Sequence, residues 1–168
     1  MTKLTSYEGL FAEGGNLDIP GHVLLGLAYD INSKTSVAFD IQRFFYEDVR
    51  AIGNRTLPIS TDPLSPDQMG KSTGPGFGWQ NTTVYKLGME YIWDSKWTLR
   101  VGLNYGDDPI RKDADGGEYE VNVMAPAVVE KHFTAGATYI MGPKEELTMT
   151  YVRAFNNKET NFIGPDSD

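Results

Sequence analysis

The sequence predicts an all-β fold, an antiparallel up-and-down transmembrane β-barrel, with these 168 residues as an incomplete six-stranded part of a larger barrel. Three observations carry that expectation. Six segments of about ten residues each alternate apolar odd positions with small or polar even positions. Short turns join these segments at one end and long polar loops join them at the other. Aromatic rings also gather toward the ends of the apolar face, at Tyr29, Tyr91, Trp93, Trp97, Tyr105, Tyr139 and Phe155. Amphipathic rings suit the headgroup level of a membrane-crossing segment.

Each element follows from local pattern. Residues 1–18 are polar, with Leu4, Tyr7, Leu10 and Phe11 near helical spacing, and predict a short helix or compact loop ending at Gly14-Gly15. Pro20 then stands where a strand tolerates proline, just before its start. Strand one is expected at 22–31, with Val23, Leu25, Leu27, Tyr29 and Ile31 against Gly26, Ala28 and Asp30. After Asn32-Ser33-Lys34, strand two runs over 35–46, with Val37, Phe39 and Ile41 opposed to Ala38, Asp40 and Gln42. Residues 47–80 are rich in proline, glycine, serine and aspartate and predict a long loop. Strands three (82–93) and four (97–105) flank Asp94-Ser95-Lys96 and have the clearest period of two. A second long loop covers 106–131. Strands five (133–141) and six (147–156) close a third hairpin across Gly142-Pro143-Lys144-Glu145, and Arg153 makes strand six the weakest of the set. Both long loops are expected on the extracellular side.

Composition narrows the function classes. No run of about eighteen apolar residues exists, so a membrane-crossing helix is excluded, whereas a barrel strand shows its lipid face only at alternate residues. The net charge of −8 argues against a nucleic-acid surface. Cysteine is absent, which excludes disulfides and thiolate metal sites. Residues 1–20 lack a basic segment followed by an apolar core, so no signal peptide is expected there.

Ordered blocks of sequence resemble the FadL/TodX family of outer-membrane transport proteins. They include Leu10-Phe11-Ala12-Glu13-Gly14-Gly15, Ala38-Phe39-Asp40-Ile41-Gln42-Arg43 and Gly76-Phe77-Gly78-Trp79. They continue in Tyr85-Lys86-Leu87-Gly88-Met89-Glu90-Tyr91, Trp97-Thr98-Leu99-Arg100-Val101-Gly102 and Ala125-Pro126-Ala127-Val128-Val129-Glu130. The resemblance implies a barrel of about fourteen strands with a plugging N-terminal hatch, in the outer membrane of Gram-negative bacteria. It also implies passive uptake of hydrophobic small molecules, long-chain fatty acids or hydrocarbons, and contact with lipid bilayer and lipopolysaccharide. Only the later part of such a protein is matched. The chain is therefore expected to be a fragment lacking the hatch and early strands, since six strands cannot enclose a lumen.

The candidate site is the polar face, which would line the lumen: Asp40, Gln42, Lys86, Glu90, Arg100 and Asn104. With Asp94-Ser95-Lys96 as a three-residue turn, Glu90 lies opposite Arg100 and Lys86 opposite Asn104. A Glu90–Arg100 pair would chiefly neutralise its own charges, which leaves Lys86 the better group for a substrate carboxylate. The segment Val121 to Val129 is the most apolar stretch of the long loops, suited to an entry groove or to packing over the barrel mouth. Gly74-Pro75-Gly76-Phe77-Gly78 lacks the following Lys-Ser/Thr of a phosphate loop. Asp113, Asp115 and Glu118 have the wrong spacing for a calcium loop, and His22 and His132 stand apart, so no metal or other cofactor is expected. No acid/base or nucleophile constellation points to catalysis. A soluble lipocalin-like barrel binding an apolar ligand is the alternative, with the odd face turned inward; a barrel assembled from several copies is a third.

Overall fold

The computed structural model describes residues 11–56, 64, 69–111, 122 and 129–155. Six strands form one sheet in the order β1-β2-β3-β4-β5-β6, every neighbour antiparallel. They are β1 (His22–Asn32), β2 (Thr35–Phe44), β3 (Thr82–Ile92), β4 (Trp97–Gly106), β5 (Lys131–Gly142) and β6 (Glu145–Ala154). All six expected strands are present, in hairpin order.

Odd positions face odd positions across the whole sheet. One row runs Tyr29, Val37, Met89, Val101, Ala135 and Tyr151, and the next to it on the opposite face runs Ala28, Ala38, Gly88, Gly102, Thr134 and Val152. Turn geometry preserves this parity. Between β3 and β4 the turn is three residues long, and the Asp94 carboxylate accepts from the backbone N–H groups of Lys96 (2.7 Å) and Trp97 (2.9 Å). The outer two hairpins use two-residue turns, Ser33-Lys34 and Pro143-Lys144, where three- and four-residue loops were expected. A two-residue turn alone would pair odd with even, but a one-residue bulge between Asp30 and Asn32, and another between Ile140 and Gly142, restores the match.

The sheet's apolar face is uncovered. Leu25 and Leu27 are each 73% exposed and Met149 is 65% exposed, whereas the buried apolar residues Ala12, Ala51, Ile52 and Ile110 all lie off the sheet. In water such a face is far larger than a monomer sustains; against lipid tails it is the correct polarity. No helix among the described residues is long and apolar enough to cross a membrane.

The buried residues form a cap at the end of the sheet that carries the long connections. Strand β2 stops at Phe44, short of the expected position 46, because Phe45 donates its N–H to the Gly21 carbonyl (2.9 Å) and the chain turns into a 3₁₀ turn at Tyr46–Asp48. Helix α2 (Arg50–Gly53) follows, so the first long connection is partly folded rather than an open loop. Residues 76–79 lie along it, with Phe77 N–H on the Ala51 carbonyl, Gly78 on Asn54 and Trp79 on Ile52. Gly76 is required there: a Cβ would sit 2.7 Å, 2.8 Å and 3.0 Å from the carbonyl oxygens of Arg50, Asn54 and Ala51. Upstream, α1 (Ala12–Gly15) is a single turn broken by left-handed Glu13 (φ 55°) and Gly14 (φ 68°). It docks through Ala12 N–H on the Pro75 carbonyl and Phe11 stacked on Phe77 at 4.7 Å. Arg153 does not break β6; it lies opposite Phe133, with its guanidinium 5.3 Å from the Phe155 ring. The acidic stretch around Asp113 and all of Val121 to Val129 except Asn122 and Val129 lie outside the described residues.

Candidate functional site

The even face is built in bands that parity alone dictates. Toward the cap, a polar row runs Asp40, Lys86, Asn104 and His132, extended from Gly26 on β1. Nearest the short turns, a second row runs Asp30, Ser36, Glu90 and Arg100. Between them lies the small-residue band of Ala28, Ala38, Gly88, Gly102 and Thr134. The band leaves a recess of about 240 Å³ bounded by Ala38, Asp40, Lys86, Gly88, Gly102 and Asn104. Gly88 keeps its floor open, since a Cβ there would meet only the Val101 carbonyl oxygen at 4.0 Å. Gly26 serves differently: the Asp40 carboxylate occupies the space its Cβ would take.

All six sequence-predicted residues share this face. Asp40, Lys86 and Asn104 rim the recess, Gln42 stands one row nearer the cap, and Glu90 with Arg100 stands below. The Arg100 Nε donates to Glu90 Oε2 at 2.7 Å, in the expected register. Both side chains are about half exposed (48% and 41%), so the pair is worth no more than about 1 kcal/mol. Arg100 also donates through Nη1 to Thr138 Oγ1 (2.8 Å), which is hydrogen-bonded to Thr148 Oγ1 (3.0 Å). Lys86 lies opposite Asp40 and Asn104, yet its ammonium donates to Gln42 Oε1 at 2.9 Å. Among the described residues Lys86 has no carboxylate within ion-pair distance.

Sequence reasoning missed Ser36, which bonds Asp30 at 2.6 Å, and the Thr138–Thr148 link. Their even positions were the available signal. It also missed the clasp over the cap, where Trp79 Nε1 donates to Asn122 Oδ1 and Asn122 Nδ2 donates to the Phe77 carbonyl (2.7 Å). No spacing rule connects residues so far apart. Beside the clasp, Tyr46 packs edge-on against Trp79 at 5.2 Å, and burial raises its hydroxyl pKa above 10.0. Among the described residues no group of three or more His, Cys, Asp or Glu side chains could hold a metal ion.

The odd face carries two aromatic girdles. Toward the turns, Trp93, Trp97 and Tyr139 align, with Trp97 and Tyr139 4.7 Å apart. Toward the cap, Tyr85 and Tyr105 pair across β3 and β4, and Phe155, just past β6, joins their row through Lys131 of β5. From Tyr85 to Trp93 is eight residues, about 26 Å along a strand at roughly 3.3 Å each, or about 20 Å along the normal at a tilt of about 40°. That is close to the apolar thickness of an outer-membrane barrel wall.

The model of the outer membrane protein transport protein family (OMPP1/FadL/TodX) matches residues 5–162. The chain belongs to this family. Membership places it in the bacterial outer membrane and makes its open sheet part of a barrel wall, in a family of transport proteins rather than enzymes. Two solved structures have the same fold. The Pseudomonas putida toluene transporter TodX superposes with a TM-score of 0.54 at 21% identity, covering 82% of this chain and 29% of that one. The deltaS2 mutant of the TodX monoaromatic hydrocarbon channel superposes with a TM-score of 0.51 at 23% identity, covering 79% and 29%. The chain thus spans under a third of the length of these relatives. A search of curated proteins found no match.

Proposed function

We propose that the sheet is part of the wall of a channel through which hydrophobic small molecules, hydrocarbons or long-chain fatty acids, diffuse passively across the outer membrane. The observation that carries this reading is the division of the sheet. Its odd face is apolar and uncovered between two aromatic girdles, and its even face is polar with a small-residue recess. The names of the similar structures, a toluene transporter and a monoaromatic hydrocarbon channel, agree with an apolar cargo. In this reading the even face lines the lumen, the odd face meets lipid, and the cap with the long connections lies outside the cell among lipopolysaccharide. Lys86, whose ammonium donates to the neutral Gln42 and has no carboxylate within ion-pair distance among the described residues, is the lumen cation placed to meet a carboxylate. Glu90 and Arg100 neutralise one another and contribute polarity without charge selection.

The lipocalin-like alternative needs the odd face closed around a ligand, whereas Leu25, Leu27 and Met149 stand exposed on a six-stranded sheet that does not close on itself among the described residues. Uptake by the outer-membrane form of the protein in liposomes tests the channel. Lys86→Ala is expected to slow entry of a long-chain carboxylate about tenfold, the loss of one charge-assisted hydrogen bond, and to leave toluene entry unchanged. Equal effects on both cargoes would remove Lys86 from selection, and absence of any protein-dependent uptake would overturn the channel.

A further inference from the structure

The outward face holds a second feature that lumen transport does not use. Its charged strand residues are unevenly placed: Arg43 and Lys131 stand at the cap end, Arg153 stands one row further in, opposite Phe133, and the one strand acid, Glu145, stands at the turn end. The cap-end girdle row and the row inside it bound a shallow apolar depression of about 410 Å³, lined by Tyr85, Leu87, Leu103, Tyr105, Phe155 and Lys131. Lys131 reaches over the Tyr105 ring, its ammonium 6.0 Å from the centroid, and Arg153 lies over the Phe155 ring. Lys131 is opposite Tyr105 on one side, and its carbonyl accepts the Phe155 N–H on the other. Arg153 is therefore its diagonal neighbour, about 7–8 Å away across the ladder. Arg43 donates to Thr83 Oγ1 at 2.8 Å, and Asp107, the nearby acid, accepts from the Tyr105 hydroxyl at 2.8 Å. Among the described residues none of the three cations has a carboxylate within ion-pair distance.

We propose that Lys131 and Arg153 bind the phosphate of an outer-leaflet glycolipid whose acyl chain lies in the depression beneath them. The proposal rests on the membrane reading above and adds a lipid site to it. An apolar trough with two uncompensated cations at its rim matches a molecule that is apolar along its length and anionic at its head. A free phosphate would leave the trough bare, and a neutral lipid would leave the cations unanswered. Lys131 stands in the girdle row and Arg153 one row inside it, and the Arg153 guanidinium over the Phe155 ring turns back toward that row, as long basic side chains extend to the interface while their stems stay apolar. The placement favours the cap-side leaflet, since toward the turns the strands of this face carry the acid Glu145, and the cation there, Lys96 over the Tyr139 ring, is a turn residue.

The test uses the outer-membrane form of the protein in neutral phosphatidylcholine vesicles, titrated with purified lipid A and followed by native mass spectrometry of the released protein. Each cation near an anionic lipid contributes about a fivefold factor, so K131Q/R153Q is expected to lose roughly thirtyfold in lipid A affinity. K131R/R153K is expected to bind as the unmodified protein does, and dephosphorylated lipid A to bind the unmodified protein as weakly as K131Q/R153Q binds lipid A. Unchanged binding by K131Q/R153Q, with insertion intact, would overturn the site alone. Displacement of lipid A by millimolar inorganic phosphate would also overturn it, by showing an ion site rather than a lipid site. Heat-modifiable migration of every variant reports insertion separately; a protein that never inserts would overturn the membrane reading itself.

Discussion

Placing one arginine at different depths of the odd face tests the barrel wall directly. Met89 is four residues from Tyr85 in one girdle and four from Trp93 in the other, so it sits midway through the proposed apolar band. It is already 43% exposed, so loss of its contacts contributes under about 1 kcal/mol to any substitution. If the face meets water, Met89→Arg is a surface change and shifts stability by about 0.5 kcal/mol or less. If it meets lipid, a guanidinium at the midplane costs about 2–4 kcal/mol, falling to about 0–1 kcal/mol near the interface. Leu25→Arg supplies the interfacial comparison, since Leu25 lies in the row of Ile41 and Tyr85. Thr150→Lys, on the even face opposite Gly136, supplies the lumen comparison and should shift stability by about 0.5 kcal/mol or less. Unfolding of the outer-membrane form in phospholipid vesicles by guanidinium, read from tryptophan fluorescence, gives all three values. The expected order is Met89→Arg well above Leu25→Arg, with Thr150→Lys near zero. A Met89→Arg cost no greater than that of Leu25→Arg would refute a lipid-facing odd surface.

Three further outcomes follow from the same geometry. Gly76→Ala should destabilise the cap by about 1–3 kcal/mol, because the neighbours its Cβ meets are backbone carbonyls that cannot rotate away; faster amide exchange of Phe77, Gly78 and Trp79 with unchanged strand protection is the signature. Because burial raises the Tyr46 pKa above 10.0, its contribution to stability is complete below about pH 10 and is lost as pH rises through the folded value. Amide exchange across the cap should therefore accelerate above about pH 10, and Tyr46→Phe should flatten that dependence. Expressed without lipid or detergent, residues 1–168 should elute from a sizing column as large assemblies, since β1 and β6 have open edges and the apolar face is bare; a sharp monomer peak with cooperative unfolding would contradict both features.

The sheet was legible because a strand has a period of two and side-chain parity is a property of sequence alone. Glu90 against Arg100 needed only the length of one turn, and that turn declares itself through Asp94, whose side chain closes it. The outer hairpins were legible in their faces but not in their turns. A three-residue loop and a two-residue turn with a bulge give the same parity, so Asn32 and Glu145 were left outside strands that include them. The cap was hidden for a different reason. Its contacts join Phe11 to Phe77 by ring stacking, Trp79 to Ile52 by a backbone hydrogen bond and Trp79 to Asn122 by a side-chain hydrogen bond, and none of these leaves a periodic trace. Proline and glycine marked 47–80 as irregular, while Gly76 was in fact selected for close approach to α2.

Lys86 shows where parity stops being informative. Sequence placed it opposite Asn104, and the register agrees, but its ammonium turned to Gln42, one row toward the cap, rather than to Asp40 directly across. A long flexible side chain chooses among partners within several ångströms, and that choice depends on what fills the space beside it. Here Gly26 draws the Asp40 carboxylate over its own backbone toward β1, while Gln42 offers Lys86 an amide oxygen. The consequence is chemical. A Lys86–Asp40 ion pair would have cancelled the charge at the rim of the recess, whereas a Lys86–Gln42 hydrogen bond positions the ammonium with no carboxylate in ion-pair contact among the described residues. If the even face lines the lumen as proposed, Gly26 is thereby a determinant of its charge without itself carrying any. Filling that position, as in Gly26→Ala, would push Asp40 back toward Lys86, and the carboxylate preference proposed for Lys86 should fall with Lys86 itself untouched.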